Sequence, residues 1–573
     1  MKLVGPLFAA AIAAVTLPAL AAGHGATPAG QASVPAPSAQ PSAVPPAPQP
    51  ALQIVQAPPR LIVAISVDQF SADLFAEYRN HFTGGFARLL KGAVFPSGYQ
   101  SHAATETCPG HSTILTGMRP EHTGIIANNW VDLKTARDDK TVYCAEDESV
   151  PGSSSSSYTV SDKHLLVPTL GERMKAANPA SRVFSVAGKD RAAVMMGGHA
   201  VDQLWWWDGK KFTSYAGRAE PPIIIRANEA VTAMIGTAQP PLDLPDDCKA
   251  HDRAIDIGGG KSVGTGRFAR AAGDARGFRA SPEIDGTVFA IAAGLIQSEK
   301  LGTGPAPDLI AIGASATDYV GHTYGTEGSE MCIQLHELDQ SMGDFFDTLD
   351  KLGLDYEVVL TADHGGHDLP ERNRDHAIVE AQRIDPGFTT RAINDAVAAK
   401  LHLTGQLIHG DVGSGDIWID PALAPKQHDA VLKEALALYR GNPQVAAAFS
   451  RAELEATADP SGPPETWTLV QRARASFYPP RSGDIVVALK PRITPIADPT
   501  RGYVATHGSF WDYDRRVPIL FWRRNMTGFE QPLSVETVDI MPTLAATIGL
   551  PLSEPKPDGR CLDLDAGTGT TCH

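Results

Sequence analysis

Seven side chains of the kinds that hold metals or attack electrophiles recur along this sequence, most of them just past an apolar run: Asp68, Thr107, Asp318, His322, Asp363, His364 and His507. Three carboxylates, three imidazoles and one hydroxyl suit a pair of zinc ions with one activated alcohol beside them. Asp318 and His322 are four apart, so a helix beginning there turns both toward one ligand. Asp363 and His364 are followed by two glycines, which let the backbone turn sharply beside a ligand. Each signal has an ordinary reading when taken singly: a surface ion pair for 318 and 322, an Asx turn at 363, a loop imidazole at 507. Their recurrence at the ends of apolar runs points to one site. Thr107 has two compatible readings. Thr favours a helix N-cap. A threonine hydroxyl also becomes a nucleophile once a metal lowers its pKa and helix N–H groups face the developing anion.

The elements that would position these residues are nearly continuous apolar, β-branched segments at 61–67, 183–187, 308–312 and 357–362. Such runs read as strands buried on both faces. Long helical stretches separate them, which predicts an α/β fold with a mostly parallel central sheet and helices on both faces. In such sheets ligands bind outside the carboxyl ends of the strands, where Asp68, Lys189, Asp318 and Asp363 fall. Residues 483–489 read as a further strand near this sheet and 517–522 as another. Residues 538–550 read as a helix packed on the core. The reading assigns 59–573 to one catalytic domain, with cap insertions around 202–285 and 372–480. The Trp205–Trp206–Trp207 run is expected as a hairpin of core aromatics within the first cap.

Residues 1–21 have the form of a secretory signal: Lys2, an apolar stretch at 7–17 and Ala19-Leu20-Ala21 as a cleavage site. The stretch is too short for a spanning helix, so a periplasmic or secreted protein without stable membrane insertion is expected. Residues 22–58 are rich in Ala, Pro, Ser and Gln and read as a flexible linker. Net charge is −16, against a nucleic-acid partner, and a monomer is expected. Six cysteines in an exported chain, with no CxxC, favour disulfides over a thiolate metal cluster. Cys561–Cys572 is the local pairing; Cys108–Cys144 and Cys248–Cys332 are one way to pair the rest, which spacing does not fix.

The segment TCPGHSTILTGMRPEHTGIIANN at 107–129 resembles the alkaline phosphatase superfamily. It is similar in particular to the threonine-nucleophile branch shared by periplasmic alkaline phosphatases and nucleotide pyrophosphatase/phosphodiesterases. SVDQF, GKDRAA, ATDYVGH, TADHGG and THGSFWDYDRRVPILFW extend the resemblance. It implies an alkaline phosphatase-like core with two zinc ions. Asp68, Thr107, Asp363 and His364 match the ligands of one; Asp318, His322 and His507 match those of the other. Asn128 matches a donor to a phosphoryl oxygen. Lys189 and Arg191 match the pair that marks monoesterases, and Thr107 the nucleophile of a phosphothreonine intermediate. A third, magnesium site is not implied as essential. The chemistry of Lys189 and Arg191 agrees: a monoester dianion presents three non-bridging oxygens, of which a guanidinium fork can grip two while an ammonium adds a point charge. The expected function is therefore zinc-dependent hydrolysis of phosphate monoesters. A phosphodiesterase on the same framework is the alternative, and a non-catalytic zinc- or phosphate-binding protein a remote one. A sulfatase is disfavoured because Cys108 is followed directly by Pro109, without the Cys-x-Pro-x-Arg pattern. His102 and His111 are expected to support the loop around Thr107, and His367 to orient a ligand or face water.

Overall fold

Successive residues of the first strand enter different cores. In β1 (Leu61–Val67), Leu61, Val63, Ile65 and Val67 pack on one side of the sheet, and Ile62 and Ala64 on the other. That alternation, with every residue buried, is what a strand covered on both faces requires. The computed structural model describes residues 57–572 apart from Ser414. The expected signal peptide and all but the last two residues of the 22–58 linker lie outside the described residues.

The main sheet has ten strands. In chain order they are β1, β2 (Ala93–Tyr99), β3 (Val183–Ala187), β4 (Gln203–Trp207), β5 (Phe212–Thr213), β6 (Asp308–Ala314), β7 (Tyr356–Thr361), β8 (Arg516–Arg523), β9 (Phe529–Glu530) and β10 (Val535–Glu536). Their spatial order is β9-β2-β8-β7-β1-β6-β3-β4-β5, with β10 also on β2. The centre, β7-β1-β6-β3-β4, is parallel; β8 and β2 continue it antiparallel on one side and β5 on the other. Residues 517–522 therefore do form a strand, in the antiparallel flank. The tryptophans of β4 pair into the main sheet and turn back through β5, rather than standing apart from it.

Register aligns the functional ends. Val67 of β1 lies opposite Ala314 of β6, Ser66 opposite Thr361 of β7, and Gly313 of β6 opposite Ala187 of β3. Asp68, Ser315, Ala362 and Gly188 thus leave the sheet at one edge. Helices α1 (Thr107–Thr116) and α2 (Asp190–Gly197) cover one face, and α3 (Pro282–Glu299), α4 (Ala316–Tyr324) and α5 (Ser329–Lys351) the other.

The segment after β7 builds its own layer. Strands Ile408–Gly410, Asp416–Ile419, Ile485–Leu489 and Val445–Ser450 form an antiparallel sheet. Helices Thr390–Leu401 and Pro425–Gly441 close a separate core on Val397, Val431 and Tyr439. The run at 483–489, expected near the main sheet, is a central strand of this cap instead. An apolar run announces burial, and two sheets offered it. Three disulfides, Cys108–Cys144, Cys248–Cys332 and Cys561–Cys572, join the cysteines in the pairing considered above. No helix among the described residues is long and apolar enough to cross a membrane.

Candidate active site

The aligned carboxyl edge gathers the site. Asp68 directly follows β1, Asp363 and His364 follow β7, and Asp318 and His322 stand one turn apart on α4. His507 reaches in from the loop before β8. Asp318, His322 and His507 present ligand-type atoms within 4.8 Å of one another, as do Asp68, His111 and Asp363. His322 Nε2 and His507 Nε2 both lie 3.3 Å from Asp318 Oδ1, and His364 Nε2 lies 3.3 Å from Asp363 Oδ2. The rings of His364 and His507 stack at 3.6 Å, so the two groups adjoin.

These residues fit divalent ions. Each imidazole anchors Nδ1 on a backbone carbonyl at 2.8 Å: His322 on Ala505, His364 on Gly365 and His507 on Thr105. That contact fixes Nδ1–H and leaves Nε2 free as a metal donor. Asp68 Oδ1, Asp318 Oδ1, Asp363 Oδ2 and His364 Nε2 are buried without a hydrogen-bond partner. Buried polar atoms are normally satisfied, and a cluster of four without partners needs an external one. In the protein alone, Lys189 Nζ offsets part of the charge, 2.9 Å from Asp68 and 2.5 Å from Asp318. Burial alone would push this ammonium down, but the Asp318 and Asp68 carboxylates hold it above its ordinary value. Burial would likewise raise the Asp318 carboxyl; His322 and Lys189 instead hold it well below the usual range.

Thr107 is fully buried and is the first residue of α1, with Glu106 in the N-cap position. The helix therefore starts within the stretch that reads as a polar loop. Its first turn aims backbone N–H groups and the positive end of the dipole toward Thr107. Arg191 Nη2 is 3.4 Å from Thr107 Oγ1. Asn128 Oδ1 accepts from the Cys108 N–H at 2.8 Å, which leaves the Asn128 amide nitrogen as the donor end of the side chain. Asn128 N–H in turn donates to Glu106 at 2.5 Å. The Cys108–Cys144 bridge ties the start of α1 to Tyr143, whose hydroxyl donates to Asp190 at 2.7 Å. Tyr158 donates to the same carboxylate at 2.8 Å. Both phenols thus brace the turn that carries Arg191.

Two groups do more than the sequence shows. His111, expected to support the loop, lies one turn after Thr107 with Nε2 3.3 Å from Asp68 and Nδ1 3.2 Å from Asp363. The i, i+4 spacing from Thr107 was the available signal. Gly110 lets α1 approach: a Cβ there would collide with the Asp363 carbonyl. His367 packs on Tyr513 and contacts Thr494 at 3.1 Å, outside both metal-type groups.

His102 is buried on the segment leading to Thr107, with Nε2 3.0 Å from the Gln100 side-chain oxygen. Burial, helped by Arg515 and Arg119, depresses its pKa from 6.5 to about 3. A depressed folded-state pKa contributes stability present above the unfolded value and lost as pH falls toward the folded one. The thermal midpoint is expected to fall as pH drops from 6.5 toward 3, by several degrees more in the native chain than in His102→Gln. Parallel pH profiles of the two proteins would contradict this assignment.

The family model for type I phosphodiesterase/nucleotide pyrophosphatase matches residues 62–510. Alkaline phosphatase PhoK of a Sphingomonas species is 59% identical over 526 residues, covering 91% of this chain and 94% of the relative. Alkaline phosphatase PhoD of Zymomonas mobilis is 50% identical over 517 residues, covering 90% and 89%. The crystal structure of wild-type alkaline phosphatase PafA shares the fold: TM-score 0.76 at 23% identity, over 88% of this chain and 99% of that one.

Proposed function

This chain belongs to the type I phosphodiesterase/nucleotide pyrophosphatase family, and from that premise we propose that it is an alkaline phosphatase, hydrolysing phosphate monoesters through Thr107 with two zinc ions. The observation that carries the reading is the corner where Arg191 meets Thr107 Oγ1 at 3.4 Å, with Lys189 buried alongside against Asp68 and Asp318. Two cations beside the nucleophile suit a dianionic phosphoryl group. A diester would place an uncharged alkoxy group against one of them, so the phosphodiesterase alternative is less well served.

The chain's own groups divide the work. Asp68, Asp363, His364 and Thr107 would hold one ion, and Asp318, His322 and His507 the other. When bound, the ions supply Lewis acidity that lowers the Thr107 pKa and offsets charge on phosphoryl and leaving oxygens. Arg191 and Lys189 orient the phosphoryl oxygens, and the Asn128 amide nitrogen donates to a third. Thr107 Oγ, its proton lost, attacks phosphorus as the bond to the leaving alcohol breaks, and the alcohol departs with a proton. Water then attacks the phosphothreonine from the vacated side, releasing phosphate and returning a proton to Thr107. His111 is a positioning residue that keeps Asp68 and Asp363 apart and aimed. Export through residues 1–21 belongs to the same reading, since the disulfides require an oxidising compartment.

Chelation is expected to abolish turnover of p-nitrophenyl phosphate, and added zinc to restore it. Full activity in protein shown by elemental analysis to be metal-free would overturn the proposal.

A further inference from the structure

Beyond Lys189 and Arg191 the site opens into a groove of about 610 Å³. Tyr319, next in sequence to Asp318, lines it. Lys189 Nζ lies 4.9 Å from the centre of that ring, and the guanidinium carbon of Arg279 lies 4.5 Å from it. Arg279 is the last residue of the short helix Ala275–Arg279. Its Nε has no hydrogen-bond partner, and no carboxylate pairs with it among the described residues. The two acids that line the groove are already engaged: Asp190 by the hydroxyls of Tyr143 and Tyr158, and Asp208 by the backbone N–H groups of Lys210 and Lys211. Neither acid therefore pairs with Arg279, whose guanidinium stands one aromatic ring away from the phosphoryl-binding Lys189. A guanidinium stacked on a ring keeps its edge N–H groups free for an oxyanion. The catalytic reading has no use for this charge.

We propose that Arg279 forms a second anion subsite, and that the preferred substrates are phosphate monoesters whose alcohol carries a further phosphate or carboxylate a few bonds from the reacting group. This rests on the monoesterase reading above and narrows it to a substrate class. The second anion lies in the groove with Arg279 while Lys189 and Arg191 hold the reacting phosphoryl group. Binding there enters both ground and transition states, so its loss appears chiefly in KM.

The test compares the native enzyme, Arg279→Ala and Arg279→Gln, with zinc supplied, on glycerol phosphate, phosphoglycolate and a sugar bisphosphate. The loss of kcat/KM on the two substrates that carry a second anionic group is expected to exceed that on glycerol phosphate about ten- to hundred-fold, mostly through KM. Arg279→Lys is expected to recover part of it. An excess loss on both substrates assigns a general anion subsite; an excess on the bisphosphate alone assigns a phosphate subsite. Equal losses on all three substrates in both variants would overturn the subsite while leaving the monoesterase reading intact. A native enzyme inert toward all three would sink that reading and this inference with it.

Discussion

Thr107→Ala is expected to lower turnover of phosphate monoesters by at least about 10,000-fold while most of the zinc stays bound. The effect is large because Thr107 Oγ1 is the hydroxyl that the start of α1 places beside Arg191, at 3.4 Å. Without Oγ, the in-line attack has no atom to begin it. What remains is whatever water achieves against a positioned substrate. Zinc is retained because Asp68, Asp363 and His364 persist, with the His364 ring locked through Nδ1 on the Gly365 carbonyl. Steady-state kinetics and elemental analysis of the same sample read both halves. Turnover within ten-fold of the native enzyme would remove Thr107 from its role.

Replacing Lys189 and Arg191 together by alanine is expected to separate two substrate classes. Monoester kcat/KM falls about 1,000-fold, whereas diester kcat/KM falls no more than about ten-fold. A monoester brings one more charged oxygen than a diester, and these cations face it. Removing them leaves that oxygen desolvated without a partner, which costs more than the contact itself contributes. Lys189 also lies against Asp68 and Asp318, so metal content must be measured alongside. With zinc retained, equal losses on both classes would contradict the selectivity argument.

The central strands β1, β3, β6 and β7 were legible because they are nearly uninterrupted apolar runs, as burial on both faces favours. The same property made the site legible: Asp68, Lys189, Asp318 and Asp363 stand out as polar residues at the ends of such runs. Long-range assignment was harder. Residues 485–489 are as apolar as β1, yet they pair with the cap strand Asp416–Ile419 rather than the main sheet. The β4 tryptophans carry no local sign that they extend the sheet beside β3. His111 reads as one more imidazole near Thr107 until β1 and β7 bring Asp68 and Asp363 to either side of it. Arg279 precedes Tyr319, the ring it stacks on, by forty residues that include α3 and β6, and no motif marks it. Pairing, register and stacking across the sheet depend on packing between distant segments, which periodicity in one segment does not encode.

Diffraction from a crystal of the native protein, recorded on both sides of the zinc absorption edge, tests the core of this account most directly. Two anomalous peaks are expected: one bounded by Asp68, Thr107, Asp363 and His364, the other by Asp318, His322 and His507. A fully active crystal preparation with no peak between these residues would contradict it.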